Sequence, residues 1–485
     1  MSAPLHALSL EPIIAILLVP CLSALFLALL PGYWIAARLN VTASLVTFLY
    51  ALQLLGQRPA PGYLFVDDLN IVFVVLATFV AFTTSAFSAS YIAHELASGR
   101  LTPRYLRFYH AMYQTLMFAM NLALVANNIG LMWVAIELAT LTTVAMVGIY
   151  RTHEALEAAW KYFILGSVGI ALALFGTILV YMAARPVLGE GQDAMVWTTL
   201  SEKAAGFSPE LLNVAFIFLM LGYGTKVGLA PLHAWLPDAH AEGPTPISAV
   251  LSGLLLNVAL YAVLRFKMLL ASIPTAIPPG PLMVTMGLAS VVFAAFMLFR
   301  RRDIKRMFAY SSIEHMGIVT FAFGMGGALA NFAGLLHMTM HSLTKSAIFF
   351  AVGHIAQGKG TQRLGQIRGL TESHPVLGWG LVVGVIAIAG LPPLGMFMSE
   401  FLIVSSTFAR APLLAVILVF GLLVALAALM LHLNEVAFGT PIGKTAPVQA
   451  SYVPLYTHLA LVLTAGVYLP QPLVAWFQSV ARLLG

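Results

Sequence analysis

The chain has 485 residues, 60% hydrophobic and only 9% charged, with a formal net charge of +6 and one cysteine, Cys21. Ordinary globular proteins carry about 25% charged residues, so this balance excludes a soluble enzyme, and basic residues scattered among apolar runs report membrane orientation rather than nucleic-acid binding. A lone cysteine excludes a disulfide framework, a cysteine-ligated zinc site and a cysteine-held iron–sulfur cluster, so any redox chemistry belongs to a partner and no cofactor is expected in this chain.

A membrane-spanning helix needs about 20 apolar residues. Fourteen segments meet that need, at 12–30, 34–55, 69–91, 108–126, 129–149, 160–183, 211–230, 246–270, 281–299, 307–325, 330–355, 377–405, 412–434 and 453–476. The fold class expected is therefore an all-α polytopic membrane protein forming a single transmembrane domain over 1–485. No Lys or Arg precedes the first segment, which reads as a retained span rather than a cleaved signal peptide. With the N-terminus outside, fifteen Lys and Arg residues fall in cytoplasmic loops and seven outside, among them Arg265 and Lys267. That asymmetry predicts an N-out, C-out protein of a bacterial or archaeal inner membrane. Residues 94–107 read as an interfacial segment or a solvated loop, and 185–209 as a surface hairpin or short helix.

Lys226 lies in the apolar run 211–230, just before Pro231. A charged lysine at mid-bilayer costs about 2.5–3.5 kcal/mol, and Pro231, Pro237, Pro244 and Pro246 break the helix beside it. A broken helix with an ionisable group is how transporters build midplane ion sites. Glu137, central in the fifth span, is the expected partner of Lys226 and a candidate proton-binding carboxylate. His337, His341 and Lys345 recur at spacing four, so they stack on one helix face and suit a proton relay. His-x-x-x-His is a weak metal signal on its own, and no metal is expected. Glu400 follows a second break, Gly390 to Gly395, and reads as a terminal gate; its place five spans after the first break suggests inverted repeats. His233, Asp238, His240 and Glu242 crowd the polar stretch after Lys226, as an access funnel or as ordinary loop residues. Glu314 and His315, after the basic cluster at 300–306, face either the bundle or solvent.

The stretches PLHAWLPDAHAEGPTPISA, DIKRMFAYSSIEHMG, HSLTKSAIFFAVGHI and GLPPLGMFMSEF resemble the antiporter-like, proton-translocating subunits shared by respiratory complex I, Mrp-type cation/proton antiporters and group 4 NiFe hydrogenases. The wording ELATLTTVAMVGIY and LLNVALYAVLRF is most similar to the hydrogenase-4 component F type. The resemblance implies fourteen helices: an N-terminal group over 1–107, two inverted five-helix repeats over 108–270 and 281–434 containing broken helices 7 and 12, and a last helix over 453–485. It implies roles in proton transfer for Glu137, Lys226, His337, His341, Lys345 and Glu400, and partners comprising other membrane subunits and a peripheral redox arm, possible members being a NiFe hydrogenase and iron–sulfur proteins. In the eighth span the family often has a histidine near Ser252 and a lysine near Asn257; here both are uncharged, so the link between half-channels must run through water, Ser252, Asn257 or another side chain. Three roles follow: proton pump, non-pumping anchor of a hydrogenase-like complex, or Na⁺/H⁺ antiporter subunit.

Overall fold

The computed structural model describes residues 11–444 and 446–485. Among these residues all regular structure is helical, with four isolated β-bridges and no strand. Only helices and closed barrels satisfy every backbone group in lipid, and the apolar runs of this chain take the helical solution. Among the described residues, nine helices are long and apolar enough to cross a membrane alone, and a pair bent by 81°, Tyr452–Val467 with Gln471–Leu483, makes a tenth. Pro103–Val125, Ile304–Met325 and Ala328–Lys359 are equally long but more polar, and they pack inside the same bundle.

Two helices form the core. The stretch Thr245–Ala271 is buried from Thr245 through Lys267. Ala328–Lys359 packs against Ile304–Met325, Pro375–Ile388, Gly395–Arg410 and Tyr452–Val467. His458 ties this hub together, its Nδ1 2.9 Å from the Leu343 carbonyl and its Nε2 2.8 Å from Thr83 Oγ1. Close approach of Gly280–Leu298 and Ile304–Met325 depends on small residues, since a Cβ at Gly317 would lie 2.7 Å from the Gly287 carbonyl oxygen.

Both expected breaks are present. Pro209–Val227 ends at Gly228 in the left-handed region (φ 83°), and the chain then forms the short helices Trp235–Glu242 and Thr245–Val250. The second continues through a π turn, Leu251–Leu255, into Leu256–Ala271. Pro375–Ile388 stops before Gly390 (φ 66°) and resumes as Gly395–Arg410. Cis peptide bonds lie at Ala230–Pro231 and Pro392–Pro393.

Charges gather at the two ends of the bundle. At one, Asp238 pairs with Lys161 (3.2 Å) and Arg306 (2.8 Å), and Lys305 donates to the Gly243 carbonyl at 2.6 Å. At the other, Arg265 makes a two-pronged pair with Asp67 (2.6 and 2.8 Å), Lys267 donates to the Leu484 carbonyl, and Trp476 donates to the Asp68 carbonyl. Arg265 and Lys267 are thus not loop charges: they are 2% and 5% exposed. Burial opposes ionisation of Asp67, but the Arg265 guanidinium and the Asn70 N–H hold its carboxyl below the usual carboxylate range. Asp67 also caps Asp68–Ala97, accepting from Asn70 N at 2.8 Å.

Several boundaries differ from the sequence reading. Residues 94–107 are mostly the ends of Asp68–Ala97 and Pro103–Val125, and 185–209 contains the short helix Trp197–Lys203. The last segment leaves its line after Val467 and turns at Pro470, where proline lacks the N–H that would continue the helix.

Candidate proton-transfer site

The ionisable residues form two clusters. In the first, Lys226 occupies the last turn of Pro209–Val227, where the helix dipole favours a cation. It is 1% exposed, and its Nζ lies 5.5 Å from the centroid of the Tyr162 ring. Tyr162 stacks on Trp235 with centroids 4.2 Å apart, and Trp235 Nε1 donates to the Thr225 carbonyl at 2.8 Å, satisfying an acceptor freed by the break. Gly166 leaves the space that the amine fills: a Cβ there would stand 2.7 Å from Nζ. Glu137 is half-buried on Ile129–Val147. The expected ion pair with Lys226 is not closed, because no carboxylate oxygen comes within 4.0 Å of Nζ. Lys226 Nζ and Glu137 Oε2 both lack a hydrogen-bond partner.

The second cluster surrounds Lys345, whose Nζ donates to the Phe308 carbonyl at 2.7 Å. Ser312 Oγ donates to the same carbonyl at 3.1 Å and lies 2.7 Å from Ser252 Oγ. Ser252, in the π turn, is therefore joined to Lys345 through Ser312 and one shared acceptor. Asn257 Nδ2 donates to Ser342 Oγ at 2.7 Å, and Ser342 donates to the Met338 carbonyl at 2.9 Å. The interval between Asn257 and the Lys345 helix is thus bridged by polar groups. No hydrogen bond among the described residues joins this cluster to Lys226 directly.

His341 shares the helix face of Lys345, and neither of its ring nitrogens has a partner. His315 lies 5.6 Å from it between ring centroids. His315 Nδ1 is 3.0 Å from His337 Nε2, and His337 Nδ1 is 3.0 Å from Ser399 Oγ. Ser399 donates its hydroxyl hydrogen to the Met396 carbonyl at 2.8 Å, so it accepts from His337 Nδ1, and His337 Nε2 in turn accepts from His315 Nδ1. This leaves His315 Nε2 as a bare, buried acceptor without a partner. Glu400 is half-buried on the sixth residue of Gly395–Arg410, with its carboxylate packed directly against Gly390. One donor atom each from His315, His337 and Glu400 fall within 4.8 Å of one another, the spacing of a three-ligand metal set. In this arrangement a nitrogen of each histidine is already engaged by the other.

Of the funnel candidates, Asp238 and Glu242 pair with Arg306 at the bundle end. His240 is fully buried, stacked on Phe349 with centroids 5.0 Å apart, and both its nitrogens lack partners. His233 packs against Phe293 at 4.6 Å. Two buried carboxylates join the list. Glu314 is 2% exposed, and its Oε2 has no hydrogen-bond partner. Glu95 is fully buried, 3.3 Å from Arg100 and 2.8 Å from Gln357.

A polytopic helical bundle with two broken spans and buried lysines, histidines and carboxylates defines an antiporter-like membrane subunit. Residues 126–473 match the family described as NADH:quinone oxidoreductase/Mrp antiporter, TM, and the chain belongs to that family. It is 63% identical over 471 residues to the hydrogenase-4 component F homolog of Methylacidiphilum infernorum (isolate V4), covering 97% of this chain and 99% of that one. Its fold is similar to a chain of the membrane-bound sulfane sulfur reductase, an archaeal respiratory membrane complex, with a TM-score of 0.87 and 23% identity over 98% of each chain. A chain of respiratory complex I from Thermus thermophilus with bound aureothin matches with a TM-score of 0.73 and 26% identity, over 97% of this chain and 98% of that one. These relatives are subunits of multi-subunit membrane complexes.

Proposed function

We propose that this chain translocates protons for a redox-driven complex of the hydrogenase-4 kind, rather than serving as an inert anchor. The observation that carries the reading is the hydrogen-bonded run Ser252 Oγ, Ser312 Oγ, Phe308 carbonyl, Lys345 Nζ. It lies where the eighth span lacks a basic residue, and an anchor would have no reason to keep that position polar. A charge change at Glu137 shifts the proton affinity of Lys226, and Lys226 passes its proton toward the Ser252 end of the run. Because the carbonyl that Ser312 and Lys345 share only accepts, the transfer from Ser312 to Lys345 runs through water beside it, and Lys345 hands the proton on through His341, His315 and His337 to Glu400. The donors are nitrogens and hydroxyls rather than the clustered oxygens that suit hard cations, which favours H⁺ over Na⁺.

The remaining expectations fit this reading. Fourteen spans in one domain, with inverted repeats over 108–270 and 281–434, agree with paired breaks near Lys226 and Glu400. The end of the bundle carrying Lys161, Lys305 and Arg306 would be cytoplasmic, in a bacterial or archaeal inner membrane. Glu137 is half-exposed between the exposed Val134 and Leu141; a carboxylate at that depth calls for a neighbouring membrane subunit rather than lipid. A peripheral arm with NiFe and iron–sulfur proteins would supply the electrons.

The test is proton uptake by inverted vesicles holding the intact complex, with Glu137→Gln and Lys226→Met. Both variants should assemble fully and lose most of their pumping. Full assembly with unchanged pumping would leave only the anchor.

A further inference from the structure

We propose that an anionic phospholipid binds in a groove at the arginine-rich end of the bundle, where the helices Pro103–Val125, Ile129–Val147 and His153–Leu188 meet. The groove has a polar mouth and an apolar floor. The mouth, a cavity of 440 Å³, is lined by Arg104, Tyr105 and Arg151; the floor, 230 Å³, is lined by Leu156, Trp160 and Phe163. Val144, Leu156 and Ala159 line both parts, so the wall is continuous. From His153 to Phe163 the helix rises about 15 Å, from the guanidiniums to the start of its apolar span at residue 160, so the groove changes from cation to hydrocarbon at the membrane edge. A phospholipid has that same order of phosphate and acyl chain.

The charge is unspent. Neither Arg104 nor Arg151 makes an ion pair among the described residues, and no carboxylate lines the mouth. The acids of the neighbouring turns, Glu154 and Glu157, line a separate cleft with Lys161 and Arg306. Arg151 lies 5.6 Å from the Tyr105 ring and, among the described residues, is the one non-glycine with positive φ, 57°. Arg104 stands in the first turn of one helix and Arg151 just before the first turn of another, so both helix N-termini add positive potential at the mouth. A protein partner would need neither the unpaired cations nor their order above an apolar slot; an anionic lipid uses both.

Native mass spectrometry of the purified complex would read the site, with phosphatidylglycerol, phosphatidylcholine and inorganic phosphate as probes. Phosphatidylglycerol should be retained over phosphatidylcholine, and the double substitution Arg104→Gln, Arg151→Gln should cut its retention by about tenfold or more. Ala159→Phe, which fills the floor, should cut retention with both arginines intact. The arginines are exposed, so the double variant keeps its fold even if Ala159→Phe does not. Equal retention of the two lipids, or parental retention by the double variant, overturns the proposal. So does displacement of the lipid by phosphate alone, which would mark a free-anion site, or cross-linking of Trp160 to another subunit in the native complex, which would mark a protein interface.

Discussion

Removing the Ser312 hydroxyl separates transport from stability. Ser252 and Ser312 are both fully buried and 2.7 Å apart. Ser312→Ala leaves the Ser252 hydroxyl without its partner, at a cost of about 1–2 kcal/mol. Lys345 keeps its bond to the Phe308 carbonyl, so the cluster stays in place. Ser252→Ala with Ser312→Ala removes both ends of the bond, and stability should return close to the parent, because replacing both partners by apolar groups is nearly neutral. Proton transfer should not return. A positioned proton-transfer group contributes on the order of a hundredfold at the low end, and the two hydroxyls act as one unit, so the single and double variants should lose pumping equally. Ser312→Thr restores a hydroxyl and most of the rate. Thermal unfolding in detergent measures the first quantity, and dye-reported acidification of vesicles containing the complex measures the second. A double variant that pumps at the parental rate would refute the hydroxyl link.

Further outcomes follow from the contacts described above. Gly166→Ala should displace the Lys226 amine, which a Cβ would approach to 2.7 Å; because a flexible side-chain end yields first, pumping should fall severalfold while the unfolding midpoint moves little. Gly390→Ala meets the Glu400 carboxylate and a backbone φ of 66°, so vesicle acidification and thermal midpoint should both fall. At the opposite end, Arg265→Gln should destabilise by about 2–3 kcal/mol, below the usual cost of stranding a buried charge because Asp67 is 21% exposed. Asp67→Asn should cost more, since it strands a guanidinium that is 2% exposed. The acid dependence of that last variant has a definite sign. The Asp67 carboxyl titrates lower in the folded protein than in the unfolded chain, so the pair stabilises fully above about pH 3.9 and the contribution is lost as pH falls below it. Midpoints of parent and Asp67→Asn should separate above pH 4 and converge toward the acid limit.

Proline, glycine and charge punctuate apolar runs, so both broken helices and the depth of Lys226, Lys345 and Glu137 could be read directly. Partners distant in sequence could not. Arg265 meets Asp67 across 198 positions, and Glu95 meets Gln357 across 262; neither pairing leaves a local pattern. Glu314 is an intermediate case. Asp303 caps its helix by accepting from Arg306 N at 2.9 Å, which starts the helix at Ile304 and sets Glu314 about 15 Å along it. From sequence the apolar run begins only at 307, because the basic residues at 300–306 hide the cap at Asp303. Glu137 falls on a helix apolar enough to cross a membrane, Ile129–Val147, but its distance from Lys226 is not foreseeable from sequence, since it depends on how far Tyr162 and Gly166 let two neighbouring helices close.

The file from His315 through His337 to Ser399 has a direction. Each imidazole is fixed in one tautomer by the acceptor ahead of it, and the last hydroxyl points at the Met396 carbonyl. In the proposed relay, a proton arriving at His315 Nε2 moves the His315 hydrogen to His337 and the His337 hydrogen to Ser399. The Ser399 hydrogen must then turn from the Met396 carbonyl, which cannot take it, and leave toward Glu400; the whole row then faces backward. Nothing more can pass until the rings turn over or their protons exchange through water. The row is therefore a ratchet that must be rewound after each charge, and the rewinding of two packed rings, more than the hop itself, would set the interval between protons.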